Sequence, residues 1–422
     1  MSEGAQRPEA WTLEEAESWI LSLEQFGISF GLERISALLA QLGSPEKRGP
    51  AVHVVGSNGK SSVTRMIAAI VGAHGLSTGA YLSPHFVSFT ERILIDGAPC
   101  ADGAFASAAR RVCAAAADLQ TRDPSGGSVT QFEALTAAAF LVFDQAAVQV
   151  SVVEAGLGGR LDASNVIDSA VQVLTSTSLE HTELLGSTLA EIAREKLDVV
   201  RPGGTLVVAN DLDHEVLAVA AARCEEQGAR LVVAGSDAPA ELAVGGRFQR
   251  RNFALAAAAA HALLGSLDAA AVSQAAREVT VPGRYQLVSS DPTTIFDGAH
   301  NAEGARALAA SVAADSAGRE VTGCVSVLAD KDAEAVIREL AACSDSLVFT
   351  RCTNPRALAP SQLAAICRSV GGPPSVVVDA PHAALEDARR SAGSGGFVFA
   401  AGSLYLIADL MRAPNSKGGS TL

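Results

Sequence analysis

Apolar and polar positions along this chain fall into blocks of two kinds, and their order predicts an α/β protein. Between positions 12 and 47, Leu and Ile recur at helical spacing, which predicts two amphipathic helices. From position 52, short β-branched runs alternate with longer segments of helical period. The runs predict strands at 52–55, 79–82, 149–154, 171–174, 205–209 and 230–234. The segments predict helices at 61–74, 102–119, 132–145, 188–200 and 213–227. That order predicts a mostly parallel sheet with helices on both faces. Ala-rich helices at 252–264 and 268–278 follow, and Val281-Pro282-Gly283-Arg284 then punctuates the chain. A second alternation predicts strands at 293–297, 323–328, 346–350, 375–379 and 396–400, with a closing helix at 404–412. We therefore expect one domain over 1–285, a smaller α/β domain over 286–412 and a disordered tail over 413–422. Segment 121–129 reads as a mobile loop.

Composition agrees with two packed domains. The chain has 422 residues, of which 48% are hydrophobic, more than one comfortable core needs. No charge-free apolar run reaches about 18 residues, so no membrane association is expected. Met1 to Glu9 is polar and carries an acid early, unlike a secretory signal. The cysteines, at 100, 113, 224, 324, 343, 352 and 367, are odd in number and show no metal-like spacing. They read as reduced thiols of a cytoplasmic protein. The net charge of −14, with no Lys/Arg run longer than two, argues against nucleic acid as a partner. Anionic small molecules must then be held by a few local positive groups. A monomer is expected.

The most informative segment is Val52 to Ser62. A β-branched run leads into Gly56-Ser57-Asn58-Gly59-Lys60-Ser61-Ser62, and a helical pattern follows. This is the layout of a phosphate-binding loop. Glycines let backbone N–H groups close around phosphate oxygens at the positive end of a helix. The lysine reaches the terminal phosphates, and a hydroxyl can meet Mg²⁺. The usual spacing would put a glycine at Val54, so this loop is a shorter variant. An ordinary strand–helix turn is the competing reading. The first domain is thus expected to be a P-loop-type sheet domain, the second a Rossmann-like one.

Other strand ends carry further polar groups. Glu154 closes a strand before Ala155-Gly156-Leu157-Gly158-Gly159-Arg160, where a carboxylate would face the ligand crevice and could orient Mg²⁺. A capping or loop acid is the alternative. A dinucleotide fingerprint fails here, because Leu161 stands at the third glycine position. His181 could ligate a metal or sit in solvent. Lys196, in Arg194-Glu195-Lys196, reads by itself as a solvated helix lysine paired with glutamates. Ser83-Pro84-His85-Phe86 and Gln131-Phe132-Glu133 mix aromatic and polar groups that would suit a flat heterocycle, although Phe86 and Phe132 also fit a core. Asp297 and His300 follow a strand of the second domain.

Together these segments resemble the folylpolyglutamate synthase and dihydrofolate synthase family of the Mur-ligase superfamily, over about residues 12 to 412. Ten signatures stand in order: Gly-Leu-Glu-Arg-Ile (31–35), Gly-Ser-Asn-Gly-Lys-Ser-Ser (56–62), Leu-Ser-Pro-His (82–85), Glu-Arg-Ile (91–93), Phe-Glu-Ala-Leu-Thr (132–136), Glu-Ala-Gly-Leu-Gly-Gly-Arg-Leu-Asp-Ala-Ser-Asn (154–165), Glu-His-Thr (180–182), Pro-Gly-Arg (282–284), Asp-Gly-Ala-His-Asn (297–301) and Ala-Asp-Lys-Asp (329–332). The resemblance implies an ATP- and Mg²⁺-dependent ligase that adds L-glutamate to dihydropteroate, to folylpolyglutamates or to both, through an acyl phosphate. It implies Ser83, Glu154 and His181 as Mg²⁺ ligands, and Asn252, Arg284 and His300 as ATP contacts. His85, Phe86, Phe132 and Ser403 would line the substrate site. Lys60, Lys196, Asp297 and His300 would serve the chemistry, with Asp297 where the acyl phosphate meets the amine. Lys196 matches a lysine carbamylated in the superfamily, where a bare ammonium would repel Mg²⁺. Departures are Ser57 for Thr, Ser61 for Gly, Glu180 for Asp and Ala302 for Pro. Alternatives are a Mur-type amide ligase for a cell-wall precursor, and an inactive nucleotide-binding paralogue.

Overall fold

The structure, a computed structural model, describes residues 10–23 and 31–414. Positions 415–422 of the expected tail, and part of the first helical stretch, lie outside the described residues. The chain divides into two compact units. The first takes residues up to Pro84, Ser88–Gly235 and Leu255–Ala275; the second takes His85–Val87, Ser236–Ala254 and the chain from Ala276 onward.

The first unit begins with helices α1 (Leu13–Ser22) and α2 (Glu33–Gln41). Its strands are β1 (Ala51–Val55), β2 (Thr78–Tyr81), β3 (Ile93–Ile95), β4 (Ala98–Pro99), β5 (Val150–Glu154), β6 (Val171–Leu174), β7 (Thr205–Val208) and β8 (Arg230–Val233). Helices α3 (Lys60–Ala73), α4 (Asp102–Arg122), α5 (Gln131–Gln145), α6 (Thr182–Leu185), α7 (Leu189–Leu197) and α8 (His214–Gln227) intervene. The sheet order is β4-β3-β2-β5-β1-β6-β7-β8. All pairs from β2 to β8 are parallel, so the carboxyl ends of β1, β5 and β6 share one edge. The central strands are buried on both faces, which is why they read as continuous apolar runs. Apolar side chains of α1, α2, α4 and α5 form one cluster with Ala51, Tyr81 and Val153. Those of α7 and α8 form another with Val55, Leu174 and Val208.

Helices α9 (Arg247–Leu264) and α10 (Ala269–Glu278) follow, and the division between the units falls within α9. The second unit holds β9 (Gln286–Ser290), β10 (Thr293–Phe296), β11 (Val321–Val325), β12 (Ser346–Phe349), β13 (Ser375–Val377) and β14 (Phe397–Ala401). Its helices are α11 (Ala302–Asp315), α12 (Ala333–Ala341), α13 (Pro360–Ser369), α14 (Pro381–Ala392) and α15 (Leu404–Met411). The order is β13-β12-β11-β14-β10-β9, parallel except for β9. Alternation along β14 sends Phe397 and Phe399 toward α11 to α13, and Val398 and Ala400 toward α14 and α15. Helices thus cover both faces. No helix among the described residues is long and apolar enough to cross a membrane.

The β3–β4 hairpin and β9 are absent from the sequence expectations. The hairpin did carry a signal: Asp96-Gly97 joins Ile95 to its partner Ala98, with φ of +48° and +82°. Both angles suit the Asp-Gly two-residue hairpin turn. The edge strand β9 carries an exposed Leu287, so no buried run marks it. Over 121–129, α4 continues to Arg122 and the Asp123 carboxylate accepts from the N–H of Ser125 and Gly126.

The first turn of α5 presents Phe132 and Glu133. Thr130 caps it, accepting from Glu133 N–H at 3.3 Å, while Glu133 Oε2 accepts from Thr130 N–H at 2.8 Å. Thr130→Ala should cost about 1 kcal/mol. Urea unfolding of the variant checks this, and an unchanged midpoint would remove the cap from the account.

Candidate active site

At the end of β1 the chain turns on Gly56, with φ of +150°, and on Gly59, with φ of +85°, before α3 begins at Lys60. A Cβ at Gly56 would collide with the Thr175 hydroxyl, so the close approach of two strand ends requires glycine. The end of β6 holds the loop. Ser57 N–H donates to Ser176 O at 3.0 Å, and Asn58 N–H to Ser176 Oγ at 2.9 Å. Thr175 Oγ1 donates to Asn58 O at 2.6 Å, and Ser178 N–H to Ser57 Oγ at 3.0 Å. Ser62 is buried in the first turn of α3.

Two lysines meet at this loop. Lys60 Nζ donates to Gly56 O at 2.9 Å and to Ser57 O at 3.1 Å. Lys196 Nζ, from the last turn of α7, donates to the same Gly56 oxygen at 3.1 Å. It also pairs with Glu180 Oε1 at 3.7 Å. The solvated-lysine reading of Lys196 is therefore corrected: the residue is 1% exposed. Helical spacing alone does not say which face of a short helix turns inward. Burial, then the Lys60 charge, lowers the Lys196 amine to about 8, against the pull of Glu180. Burial pushes the Glu180 carboxyl up, but Lys60, Lys196 and the Ser57 hydroxyl outweigh it and hold the group below its ordinary value.

Glu154 ends β5 on the same edge and is 1% exposed. Its Oε1 accepts from Ser61 Oγ at 3.0 Å, and its Oε2 from Ser83 N–H at 3.2 Å. Ser61 Oγ also approaches Ser83 O at 3.4 Å. These are hard oxygen donors around one carboxylate, one turn from a phosphate-type loop, and they fit a divalent cation that keeps part of its water shell. His181 is placed differently. It is exposed, has φ of +49° and caps α6. Among the described residues, no group of three or more His, Cys, Asp or Glu side chains is arranged to hold a metal.

A pocket in the first unit is lined by Arg34, Phe132, Glu133, Leu157, Asp162 and Leu185, among others. The Cζ and Cε2 atoms of the Phe132 ring fill the space a Cβ would take on Gly156, so this glycine lets ring and backbone approach closely. Arg34 Nε donates to both Glu133 oxygens, at 3.1 and 2.8 Å. The sequence reading missed Arg34 and Asp162, although both lie inside its signature segments.

The second unit assembles its own polar group. Asp297 follows β10 and is 4% exposed. Its Oδ2 accepts from Tyr285 N–H at 2.7 Å and its Oδ1 from Ala299 N–H at 2.8 Å. Burial raises its carboxyl, with Arg284 opposing. Tyr285 is held at φ of +51°, a left-handed geometry costly for a residue with a side chain. Its phenol donates to Asp315 Oδ2 at 2.6 Å. Arg284 Nη1 occupies the space beside Gly298 that a Cβ would need. His300 Nδ1 lies 2.9 Å from Gly298 O. Asn252 Nδ2 donates to Gln249 Oε1 at 3.0 Å, and Gln249 Nε2 to Arg284 O at 3.4 Å. Ser403 Oγ caps α15, accepting from Tyr405 N–H at 3.1 Å. His85 is buried, and Phe86 packs against Gly283 in an apolar cluster with Phe296 and Tyr405. Phe132, by contrast, belongs to the pocket of the first unit.

Residues 283–404 match the family described as Mur ligase, glutamate ligase domain. The chain is 34% identical to the dihydrofolate synthase/folylpolyglutamate synthase of Mycobacterium tuberculosis, across 90% of this chain and 88% of that one. A solved folylpolyglutamate synthase of Mycobacterium tuberculosis, complexed with ADP and AMPPCP, superposes with a TM-score of 0.87 at 31% identity, covering 96% of this chain and 99% of that one. A bifunctional folylpolyglutamate synthase/dihydrofolate synthase of Yersinia pestis, complexed with AMPPNP and a Mn ion, superposes at 0.84 with 30% identity and covers 96% and 99% of the two chains.

The buried Lys196 amine makes stability depend on pH. Between about 8 and 10.5 the native state has released this proton while the unfolded chain still carries it. Stability should therefore rise with pH across that window. In buffer free of carbon dioxide, the wild type should gain roughly 1–3 kcal/mol over Lys196→Met between about pH 7 and about pH 10. Denaturant titrations of both proteins measure the difference, and a flat profile would return the amine to solvent.

Proposed function

The chain belongs to the folylpolyglutamate synthase and dihydrofolate synthase family, and from that premise we propose that it is an ATP-dependent ligase that adds L-glutamate to dihydropteroate, to folylpolyglutamates or to both, in folate biosynthesis. The observation that carries the reading is the single edge of the first unit on which Lys60, Lys196, Ser61 and Glu154 converge around Gly56 and Ser83. Cations and a metal-type carboxylate at a glycine loop serve phosphoryl transfer, which needs positioning and charge neutralisation more than covalent help.

The γ-phosphoryl group of ATP passes to the substrate carboxylate, giving an acyl phosphate and ADP. The amine of glutamate attacks the acyl carbon, the C–N bond forms, the C–O bond breaks and inorganic phosphate leaves. Lys60 exchanges the carbonyl oxygens of Gly56 and Ser57 for phosphate oxygens, losing two neutral acceptors and gaining charged ones. Loop residues Gly56 to Ser62 cradle the phosphates. A Mg²⁺ ion held by Glu154 and Ser83, with Ser61 beside them, would neutralise charge on the transferring group, and His181 would complete the set by turning in from its exposed place at the start of α6. Asn252, Arg284 and His300 contact ATP in this reading. Asp297 acts at one remove: both its oxygens already hold backbone N–H groups, so it fixes the turn that carries Arg284. Phe132 offers a flat face in the pocket we assign to the pteroate ring system, while Phe86 supports Gly283 from the core. The ligase domain is taken as 286–412, a reading supported by the match over 283–404. The seven unpaired cysteines support a reducing, cytoplasmic setting.

Carbamylation of Lys196 belongs to the same proposal. Burial lowers the amine to about 8, which leaves more neutral amine at neutral pH than an ordinary lysine has. The product would set an anion beside Lys60. Carbon-13 bicarbonate should give a carbamate carbonyl resonance that is absent from Lys196→Met; no such signal in an active preparation would end this part of the proposal.

ADP release with Mg²⁺, ATP and glutamate should require an acceptor, supplied first as dihydropteroate and then as a reduced folate. No release with either acceptor would overturn the ligase reading. Lys60→Ala should lower kcat/KM on the order of a hundredfold or more without changing the thermal midpoint. Glu154→Gln should raise the Mg²⁺ concentration needed for half-maximal rate, and an unchanged requirement would make Glu154 a structural cap.

A further inference from the structure

His53 is an anomaly in β1. Its neighbours Val52, Val54 and Val55 are apolar and, like His53 itself, fully buried. In register it faces Val153 of β5 and Gln172 of β6. A buried imidazole in such a strand needs a reason, because Nδ1 lies buried without a hydrogen-bond partner and an unsatisfied polar atom destabilises the fold. An aliphatic residue would avoid that cost. What the imidazole supplies is on its other side, where Nε2 lies 2.8 Å from Ser164 Oγ.

The direction of that bond follows from the next one. Ser164 Oγ donates its only proton to Asp162 Oδ1, so toward His53 it accepts, and Nε2 carries the hydrogen. Nδ1, buried without an acceptor for a proton, carries none, so the imidazole is neutral and in one tautomer, in keeping with a ring whose burial lowers it to about 3. Asp162 is 7% exposed and its acceptor capacity is filled. Oδ1 takes Ser164 Oγ and Ser164 N–H, the latter at 2.9 Å. Oδ2 takes Gly156 N–H and Leu157 N–H, each at 2.9 Å. Those two amides belong to the segment that leaves β5 just after Glu154. Gly156 lies against the Phe132 ring, and Leu157 lines the same pocket. One chain of hydrogen bonds thus runs from the strand that delivers the phosphate loop to the backbone wall of the neighbouring pocket.

We propose that His53 is a positioning residue for substrate binding: through Ser164 and Asp162 it holds the Gly156–Leu157 backbone in the orientation that lets Phe132 and this wall receive the pteroate ring. The proposal rests on the assignment of that pocket to pteroate. His53 touches no reactant. Its hydrogen bond orients the Ser164 hydroxyl, the hydroxyl orients the carboxylate, and the carboxylate fixes two amides. Without the Nε2 donor, the Ser164 hydroxyl loses its anchor on β1, and Asp162 is left with its three backbone donors and a looser hydroxyl. The loop then samples positions in which Gly156 no longer meets the ring.

The test compares His53→Leu, His53→Gln, Ser164→Ala, the His53→Leu/Ser164→Ala pair and Phe132→Ala. For each, KM for dihydropteroate, KM for ATP, kcat and the thermal midpoint are measured. His53→Leu and Ser164→Ala should each raise KM for dihydropteroate roughly tenfold, with KM for ATP changed less than about twofold. The pair should be little worse than either single change, because both cut one chain. His53→Gln, which keeps a donor on a side chain of similar reach, should recover most of the loss. A purely structural role would lower the midpoint and the yield of active protein without this split between the two KM values. Should His53→Leu fail to fold, Ser164→Ala carries the test, since Asp162 keeps its three backbone donors there. If Phe132→Ala raises KM for dihydropteroate while His53→Leu and Ser164→Ala do not, the relay is overturned and the pocket assignment stands. If Phe132→Ala leaves that KM unchanged, the pocket assignment falls and the proposal falls with it. Additive losses in the pair would also overturn it.

Discussion

One carbonyl oxygen, that of Gly56, accepts from two ammonium groups, and much of the first unit answers to that arrangement. Like charges drawn to one acceptor in a partly desolvated site repel by on the order of a few kcal/mol. Glu180 offsets part of this for Lys196, and burial makes the offset incomplete, so the amine is easier to deprotonate than a surface lysine. The arrangement is tolerable because the loop cannot move away. Thr175 occupies the space beside Gly56, and four hydrogen bonds tie residues 57 and 58 to the end of β6. A loop held this firmly, with Lys60 and Lys196 at one oxygen and Glu180 set against both, presents a fixed arrangement of charge to whatever enters.

The two units solve a common problem with the same device. In each, a parallel strand ends, a glycine-bearing turn follows, and a buried aspartate accepts backbone N–H groups that fix the turn. Asp162 holds Gly156 and Leu157 beyond β5; Asp297, just beyond β10, holds Ala299 of its own turn and Tyr285 of the segment that enters β9. Backbone donors suit this work because their positions follow from the chain path and leave little rotamer freedom to lose. In the second unit the hold is strong enough to keep Tyr285 in the left-handed region, with Asp315 anchoring its phenol.

How much of this could be read from residues depended on burial. The strands β1, β5, β6 and β14 are buried on both faces and mostly apolar, so their runs stand out of the sequence. The strands β3, β4 and β9 are short or half-exposed, and the Asp96-Gly97 pair between β3 and β4 was their one local mark. Lys60 and Glu154 were legible because a glycine loop and a strand end restrict what a charged residue there can do. Lys196 was misread from spacing because a helix pattern gives no sign of which neighbour buries a given turn; only its match to a lysine carbamylated in the superfamily pointed inward. The partners that hold each polar group, Thr175 and Glu180 in the first unit and Gln249 and Tyr285 in the second, come from segments distant in sequence from the residues they hold, and no local pattern announces them.

The edges of the two sheets differ in a way that bears on how chains meet one another. At one end of the eight-stranded sheet, β4 is two residues long and finishes on Pro99, which has no N–H to offer a further strand. The opposite end, β8, exposes Val233, and the six-stranded sheet exposes Val376 and Val377 on β13 and Leu287 on β9. Growth by strand addition is thus directional in the eight-stranded sheet, whereas the six-stranded sheet is aliphatic at both margins. The proline-terminated side is chemically stopped, whereas the aliphatic margins remain competent to zip onto a second polypeptide when crowding or partial unfolding brings one near.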